Sequence, residues 1–252
     1  MPVTLRRHLR TIKVSGKRVV PISAKKEGIR AGRELRAELN SELGFGKSIS
    51  DYYSKGKIKS YSSEVERAVL GAKTAQRAFG LKKGKVNLRK EIGWAGFFID
   101  EKKAMDLLKN KYGGDEIKAR NAWLAGDTCE GSLHPAKQFA ETIIKRRFGL
   151  ALAAEAGKAG FGRKAALIKY LVQDNVTHSW IVESVVKRLT LGMKNAPKIA
   201  GLPKETTGIK MAFVRQPNGK FRVQMSYEEF IGDVTKNFSE CMLPSMKKYL
   251  DA

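Results

Sequence analysis

The sequence has few cysteines and no long apolar run, and each shortage excludes a class of protein. Its two cysteines, Cys129 and Cys241, are too few for a disulfide framework or a four-thiolate zinc site. No stretch approaches the roughly 18 consecutive apolar residues of a membrane span. The N-terminus lacks the apolar core of a secretory signal. We therefore expect reduced thiols, no membrane span and a cytoplasmic-type compartment.

Acidic residues are also scarce. The 252 residues include 25 acids against 49 lysines and arginines, which gives a formal net charge of +24. Such self-repulsion destabilises a compact chain unless a polyanion neutralises it, so the imbalance predicts nucleic acid or another polyanion as a partner. No acid precedes Glu27. An organelle transit peptide is Arg-rich and acid-poor too, but Val19, Val20 and Ile22 are typical of structure that is retained.

The length allows one large domain or two small ones. We expect a mainly α-helical fold with a minor β component, consisting of one or two β-hairpins packed at an edge. The expected segments are a basic arm or hairpin over residues 1–22, a helical domain over 23–156, and a third unit over 157–252. The third unit would hold a helix-turn-helix-like pair, a hairpin and a C-terminal helix.

Two hairpins and a terminal helix follow from turn residues. Short strand-like runs flank Ser15-Gly16. Asn218-Gly219 separates two longer runs, and Asn-Gly is the strongest short-range hairpin signal. The apolar spacing after this hairpin predicts a helix from about Tyr227.

Several helices have start signals. Ser63 and Glu66 have the spacing of a capping box, which predicts a helix that ends near Phe79. Asp100 and Asp115 are candidate caps for two further helices. A longer helix is expected over residues 135–156, with proline at its first position.

The last third has the element order of a helix-turn-helix with a wing. A helix over 163–173, a turn over 174–176, a helix capped by Thr177 and then a hairpin predict that order. His178 and Ser179 would then point outward to base edges. An ordinary pair of helices beside an unrelated hairpin is the alternative.

Basic side chains in the arm, in the 82–90 cluster and in the last third are the candidate nucleic-acid contacts. With the two groove-facing residues, the candidates are Arg6, Arg7, Arg10, Lys82, Lys83, Lys85, Arg89, Lys90, Arg163, Lys164, His178, Ser179, Lys187, Arg188, Arg215, Lys220 and Arg222. The glycine-rich run before Arg163 lacks the spacing of a phosphate-binding loop, so we interpret it as a basic hinge.

One loop brings a thiol and an imidazole close together in sequence. Cys129 and His134 could form a nucleophile and base pair, but we interpret the loop as a connection whose polar residues cap the next helix. His8 and His178 are isolated and are expected at the surface or at an interface. The sequence therefore predicts no catalytic residue, no metal site and no cofactor.

The resulting functional hypothesis is a basic, non-catalytic nucleic-acid-binding or packaging protein that acts by neutralising phosphates. The alternative is a structural subunit of a large assembly such as a virus or phage particle, as a capsid, connector or tail component. Its basic arm would bind neighbouring subunits, and exposed Trp94, Phe97 and Phe98 would fill the contacts. A third reading, an enzyme acting on nucleic acid, needs acidic clusters with metal-binding geometry that linear spacing does not show.

Overall fold

A seven-stranded mixed β-sheet organises the chain. The computed structural model describes residues 3–8, 12–14, 17–43, 58–79, 85–93, 96–158, 172–199 and 207–252. The strands are β1 (Val3–Arg7), β2 (Ile12–Val14), β3 (Lys17–Val19), β4 (Ile58–Ser62), β5 (Val86–Leu88), β6 (Val172–Thr177), β7 (Gly208–Arg215), β8 (Phe221–Tyr227) and β9 (Phe230–Asp233). The helices are α1 (Ile22–Leu43), α2 (Glu66–Phe79), α3 (Glu101–Tyr112), α4 (Glu116–Ala125), α5 (Ala136–Ile143), α6 (Gly149–Lys158), α7 (Ser179–Leu189), α8 (Thr235–Cys241) and α9 (Pro244–Lys247).

The strand order is β5-β4-β6-β1-β7-β8-β9. The first four of these strands are mutually parallel, and β7, β8 and β9 continue the sheet in antiparallel pairing. The prediction of a mainly α-helical fold with hairpins at an edge is therefore wrong. Parallel neighbours need crossover connections, so strands distant in sequence pair in the middle of the molecule, and the sheet includes strands from all three expected segments.

Strand β6 replaces the predicted helix-turn-helix. Residues 174–176, expected as its turn, lie inside this strand and pair with both β1 and β4. Most of the helix expected over 163–173 lies outside the described residues. Because a central strand leads directly into α7, the helix-turn-helix interpretation is wrong.

Polar side chains on β6 are buried and bonded. Gln173, Asn175 and Thr177 are all fully buried. The Asn175 side-chain amide donates to the carbonyl of Thr4 at 2.7 Å, and the Thr177 hydroxyl donates to the carbonyl of Ile92 at 2.5 Å. These bonds offset the cost of burying polar groups, so a strand poor in apolar residues occupies the centre of the sheet.

The helix caps agree with the sequence. Asp100 accepts from the Lys103 amide, and Asp115 accepts from the amides of Ile117 and Lys118, all at 3.0 Å. Helix α2 ends at Phe79 as expected. The long helix predicted over 135–156 is continuous, with a π-helical turn between α5 and α6.

Helix α7 is enclosed by its neighbours. Its apolar stripe, which includes Ile181 and Val185, packs inward as predicted. However, Trp180, Glu183 and Arg188 on its other sides are buried too. No face of this helix is left that could enter a DNA groove.

The two predicted hairpins are confirmed, but the C-terminal helix begins later than expected. Strands β2 and β3 pair antiparallel, and so do β7 and β8. At the turn of the second hairpin, Gly219 has a φ of 82°, in the left-handed region that favours glycine. Tyr227 is the last residue of β8, and a turn and β9 precede α8, which begins at Thr235.

The main core contains an aromatic cluster. Phe97 is fully buried and packs edge to face on Trp123, Phe139 and Trp180, so the expectation that it is exposed for subunit contacts is wrong. Trp94 lies outside the described residues. Among the helices described, none is both long and apolar enough to cross a bilayer.

Candidate active site

Three parallel strands end side by side at one edge of the sheet, and each is followed by residues of a shared cleft. Arg7 pairs with Thr177 at the ends of β1 and β6, so His8 and His178 follow adjacent strands. The His8 amide donates to the Thr177 carbonyl at 2.8 Å. Ser63 follows β4, and its amide donates to the carbonyl of Val176 at 3.1 Å. Ligand sites of open α/β sheets lie at this carboxyl edge.

The two imidazoles are in direct contact. The ring centroids of His8 and His178 are 5.1 Å apart, with the ring planes at 74°. His8 is 8% exposed and His178 is 2% exposed. Both were predicted to lie at the surface or at an interface, and instead they form the base of the cleft. His178 also precedes α7 and accepts the first helical hydrogen bond from the Val182 amide.

A serine and two arginines complete the base of the cleft. The hydroxyl of Ser63 lies 3.3 Å from Nε2 of His178, which orients that ring. Arg7 ends β1 and Arg67 lies in the first turn of α2, and both line the same cavity. Their guanidinium groups and the start of α2 make this edge of the sheet suited to an anion.

Burial and neighbouring cations keep His178 neutral. Desolvation is the largest cause that lowers the pKa of His178 to about 2, followed by the charges of His8, Arg67 and Arg7. A neutral imidazole presents one N–H donor and one acceptor nitrogen at ordinary pH. His178 therefore acts in the cleft through hydrogen bonding and not as a fixed charge.

The cleft opens into a cavity of about 680 Å³. One side carries the histidines and arginines, and the other is formed by α3, the α3–α4 turn and the start of α4. The lining residues are Arg7, His8, Arg67, Phe98, Glu101, Met105, Asp106, Leu108, Lys109, Gly114, Asp115, Glu116, Ala119, His178, Ser179 and Trp180.

Among the predicted contact residues that the structure describes, three line this cavity. They are Arg7, His178 and Ser179. The last two are buried at the foot of α7 and do not project outward as the groove-reading hypothesis required. The side chain of Arg6 is not among those described.

The other candidates either lie outside the described residues or do not line the cavity. Lys82, Lys83, Arg10, Arg163 and Lys164 lie outside the described residues. Six further candidates are exposed and do not line the cavity: Lys85, Arg89, Lys90, Arg215, Lys220 and Arg222.

Lys187 and Arg188, near the end of α7, are bonded to other parts of the fold. Lys187 donates to the carbonyl of Leu124 at 2.9 Å. Buried Arg188 pairs with Glu141 at 2.7 Å and with Glu240 at 3.1 Å. The expectation that both are exposed for phosphate contact is wrong for Arg188, because these carboxylates already neutralise it.

The Cys129 loop has no visible catalytic arrangement. Burial raises the pKa of the Cys129 thiol, and His134 is exposed. The carbonyl of Cys129 accepts from the Ser132 hydroxyl, which supports the interpretation as a structural connection. No group of three or more His, Cys, Asp or Glu in the described part of the chain could hold a metal ion.

Sequence reasoning missed His8, Ser63 and Arg67. The capping-box interpretation accounted for both Ser63 and Glu66, so no contact between Ser63 and a histidine was predicted. The available signal was an Arg-His pair directly after a short apolar run at the start of the chain. That signal identifies a site only once β6 is known to lie beside β1.

No family model matches the sequence, and no curated protein does. The fold is similar to that of a mycobacterial glucosyl-3-phosphoglycerate phosphatase, with a TM-score of 0.50 and 13% identity over 90% of this chain and 97% of that one. A structure described as mycobacterial hydrolase 1 gives a TM-score of 0.50 and 14% identity over 89% and 96%.

These similarities correct the functional expectation. The chain shares the α/β fold of these two structures, and a pair of imidazoles and two arginines lie in its cleft. The hypotheses of a non-catalytic nucleic-acid-binding or packaging protein, and of a capsid or other virion subunit, are wrong.

Proposed function

We propose that the protein is a phosphatase that hydrolyses phosphomonoesters through a phosphohistidine intermediate. The observation that carries the proposal is the contact between His8 and His178 beside Arg7 and Arg67 at the carboxyl edge of the sheet. The fold similarity to a named phosphatase supports the same reaction class.

The phosphoryl group is held by Arg7 and Arg67. Guanidinium groups match phosphate oxygens in a planar, two-pronged geometry. Charge on the transferring group is spread over its three equatorial oxygens, so cations directed at them stabilise the transition state. Neutral His178 adds an N–H donor, with its ring oriented by Ser63.

His8 is the nucleophile. It is the more accessible of the two imidazoles, and histidine forms covalent intermediates in group transfer. One of its ring nitrogens attacks phosphorus, the N–P bond forms, and the ester P–O bond breaks with its electron pair on the leaving oxygen. A water then attacks the phosphohistidine, the N–P bond breaks, and inorganic phosphate leaves.

The leaving oxygen takes a proton from a carboxylic acid of the opposite wall. Glu101 is the first residue of α3, is exposed, and lines the cavity with the histidines. In the second half of the reaction its carboxylate accepts a proton from the attacking water, so the acid is regenerated.

Phosphatase assays with histidine variants test the proposal. The wild type should hydrolyse para-nitrophenyl phosphate, and His8→Asn should lose about a thousandfold or more of kcat. The third histidine, exposed His134, lies outside the cavity, so His134→Asn is the matched control and should retain full activity.

Trapping the intermediate gives an independent measurement. Rapid quench of the wild type in alkali should yield an acid-labile phosphoprotein, absent in His8→Asn. Full activity in a folded His8→Asn protein would overturn the assignment of the nucleophile. Absence of turnover on every phosphomonoester, together with no phosphate binding, would overturn the phosphatase.

We also propose a reducing, cytoplasmic-type compartment. Cys129 and Cys241 are both free and buried, which suits a compartment where thiols stay reduced. Fractionation of cells that express the chain tests this, and recovery from an oxidising compartment would contradict it.

A further inference from the structure

The wall of the cavity opposite the histidines differs in charge from the rest of this basic chain. Glu101, Asp106, Asp115 and Glu116 line this wall, and among the described lining residues Lys109 is the one cation on the same side. Outside the lining, Lys118 lies 3.6 Å from Asp115 at an exposed position. The wall that faces a leaving group is therefore anionic in a chain with a net charge of +24.

The same wall is also apolar. Met105 and Leu108 follow Glu101 by four and seven positions, so the three share one face of α3 toward the cavity. Met105 is 54% exposed. Phe98 and Trp180 extend this apolar surface. An apolar group bound against it would exclude water from the surface, which is favourable.

Hydrogen bonds hold two of the carboxylates in place. The Lys118 amide is the largest cause that lowers the pKa of Asp115, so this cap is ionised. The indole of Trp180 donates to Glu116 at 3.3 Å. The charge is thus fixed beside the apolar surface.

We propose that the leaving group of the substrate is apolar and carries a cation. The inference rests on the proposed phosphatase function. A second phosphate or carboxylate on the substrate would face Asp106, Asp115 and Glu116 and be repelled. An ammonium group beside an aromatic or aliphatic body would be attracted by those carboxylates while the body covers Met105 and Leu108.

Two matched substrates test this. Tyramine phosphate and the phosphate ester of para-hydroxyphenylpropionic acid have the same aryl ester, and a two-carbon spacer separates it from an ammonium or a carboxylate. Exposed ion pairs each change affinity by a factor of about 1.5 to 5. With several carboxylates on the wall, kcat/KM should favour tyramine phosphate roughly tenfold, mainly through KM.

The variants address the wall and not the reacting groups. Asp106→Asn with Glu116→Gln should reduce that preference to about threefold or less. Glu229→Gln is the matched control, because Glu229 is exposed and lies outside this cavity. Equal rates for the two charged substrates, or a preference unaffected by the double variant, would overturn the inference.

Binding of the product phenols separates this inference from the phosphatase proposal. Tyramine should bind more tightly than para-hydroxyphenylpropionate in an NMR titration, and the double variant should remove the difference. That result without any phosphomonoester hydrolysis would retain the leaving-group preference and reject the phosphatase. Hydrolysis of phosphomonoesters together with tighter binding of para-hydroxyphenylpropionate would retain the phosphatase and reject the leaving-group preference.

Discussion

Arg120 and Glu183 form an ion pair in the interior, between α4 and α7. Nη1 of Arg120 donates to Oε1 of Glu183 at 2.8 Å, and the side chains are 0% and 1% exposed. Burial nevertheless outweighs the nearby cation and raises the pKa of Glu183 from 4.5 to about 7. The pair connects the helix that begins at Glu116, in the cavity wall, with the helix that follows His178.

Glu183 should make stability fall as the pH rises. Between 4.5 and about 7 the folded protein keeps a proton that the unfolded chain has released. This contribution to the free energy of unfolding is fully present below pH 4.5 and is lost as the pH rises through about 7. Urea unfolding across this interval should show the fall in the wild type but not in Glu183→Gln. Parallel curves for the two proteins would contradict the assignment.

Removing the cation of this pair should be costly. Arg120→Met leaves a buried carboxylate without its partner, and such losses cost about 3–5 kcal/mol. Urea unfolding near neutral pH measures the difference. Lys118→Met, on the exposed side of the same helix, is the control and should stay within about 0.5 kcal/mol of the wild type.

Ser63→Ala should weaken catalysis more than folding. Ser63 lies 3.3 Å from Nε2 of His178, and one hydrogen bond contributes about 0.5–1.5 kcal/mol. We expect kcat to fall by about 2- to 13-fold, with little change in KM, because the ring of His178 loses its orientation. Ser63→Thr keeps a hydroxyl and should recover part of kcat. An unchanged kcat in Ser63→Ala would exclude this positioning role.

The Cys129 loop should be dispensable for turnover. Cys129→Ser and His134→Ala should leave phosphatase activity intact, since neither residue lines the cavity with His8 and His178. Steady-state kinetics of the folded variants give the comparison. A fall of about a hundredfold in kcat for either variant would show that the loop takes part in catalysis.

A polyanionic partner stays a prediction that is separate from catalysis. The net charge of +24 predicts retention on heparin. The logarithm of the binding constant should fall against the logarithm of salt with a slope of roughly −0.7Z to −0.9Z for Z neutralised phosphates. Affinity that does not change with salt would reject the electrostatic explanation.

Local signals in the sequence located many elements correctly. Asp100 and Asp115 cap α3 and α4, Asn218-Gly219 turns a hairpin, and the apolar spacing of α7 packs inward. Each of these depends on residues within a few positions of one another. Short-range backbone sterics and hydrogen bonds therefore suffice to specify them.

Local signals of this kind did not predict the central strand β6. Asn175 is typical of a turn and Thr177 of a helix cap, and they lie in a strand because partners such as the Thr4 and Ile92 carbonyls satisfy them in the fold. Their partners lie far away in sequence, so no local pattern contains them. The charge count suggested an anionic partner but carried no information on where cations converge.

By itself the sequence determined the charge, the free thiols, the caps and the hairpins, because these depend on composition or on neighbouring residues. Only the tertiary structure decided the fold class and the site. Parallel pairing of β1, β4 and β6 brings His8, Ser63 and His178 to one edge from three distant parts of the chain. Burial there lowers the pKa of His178, so the ring stays neutral at mildly acidic pH, where an exposed histidine is mostly protonated.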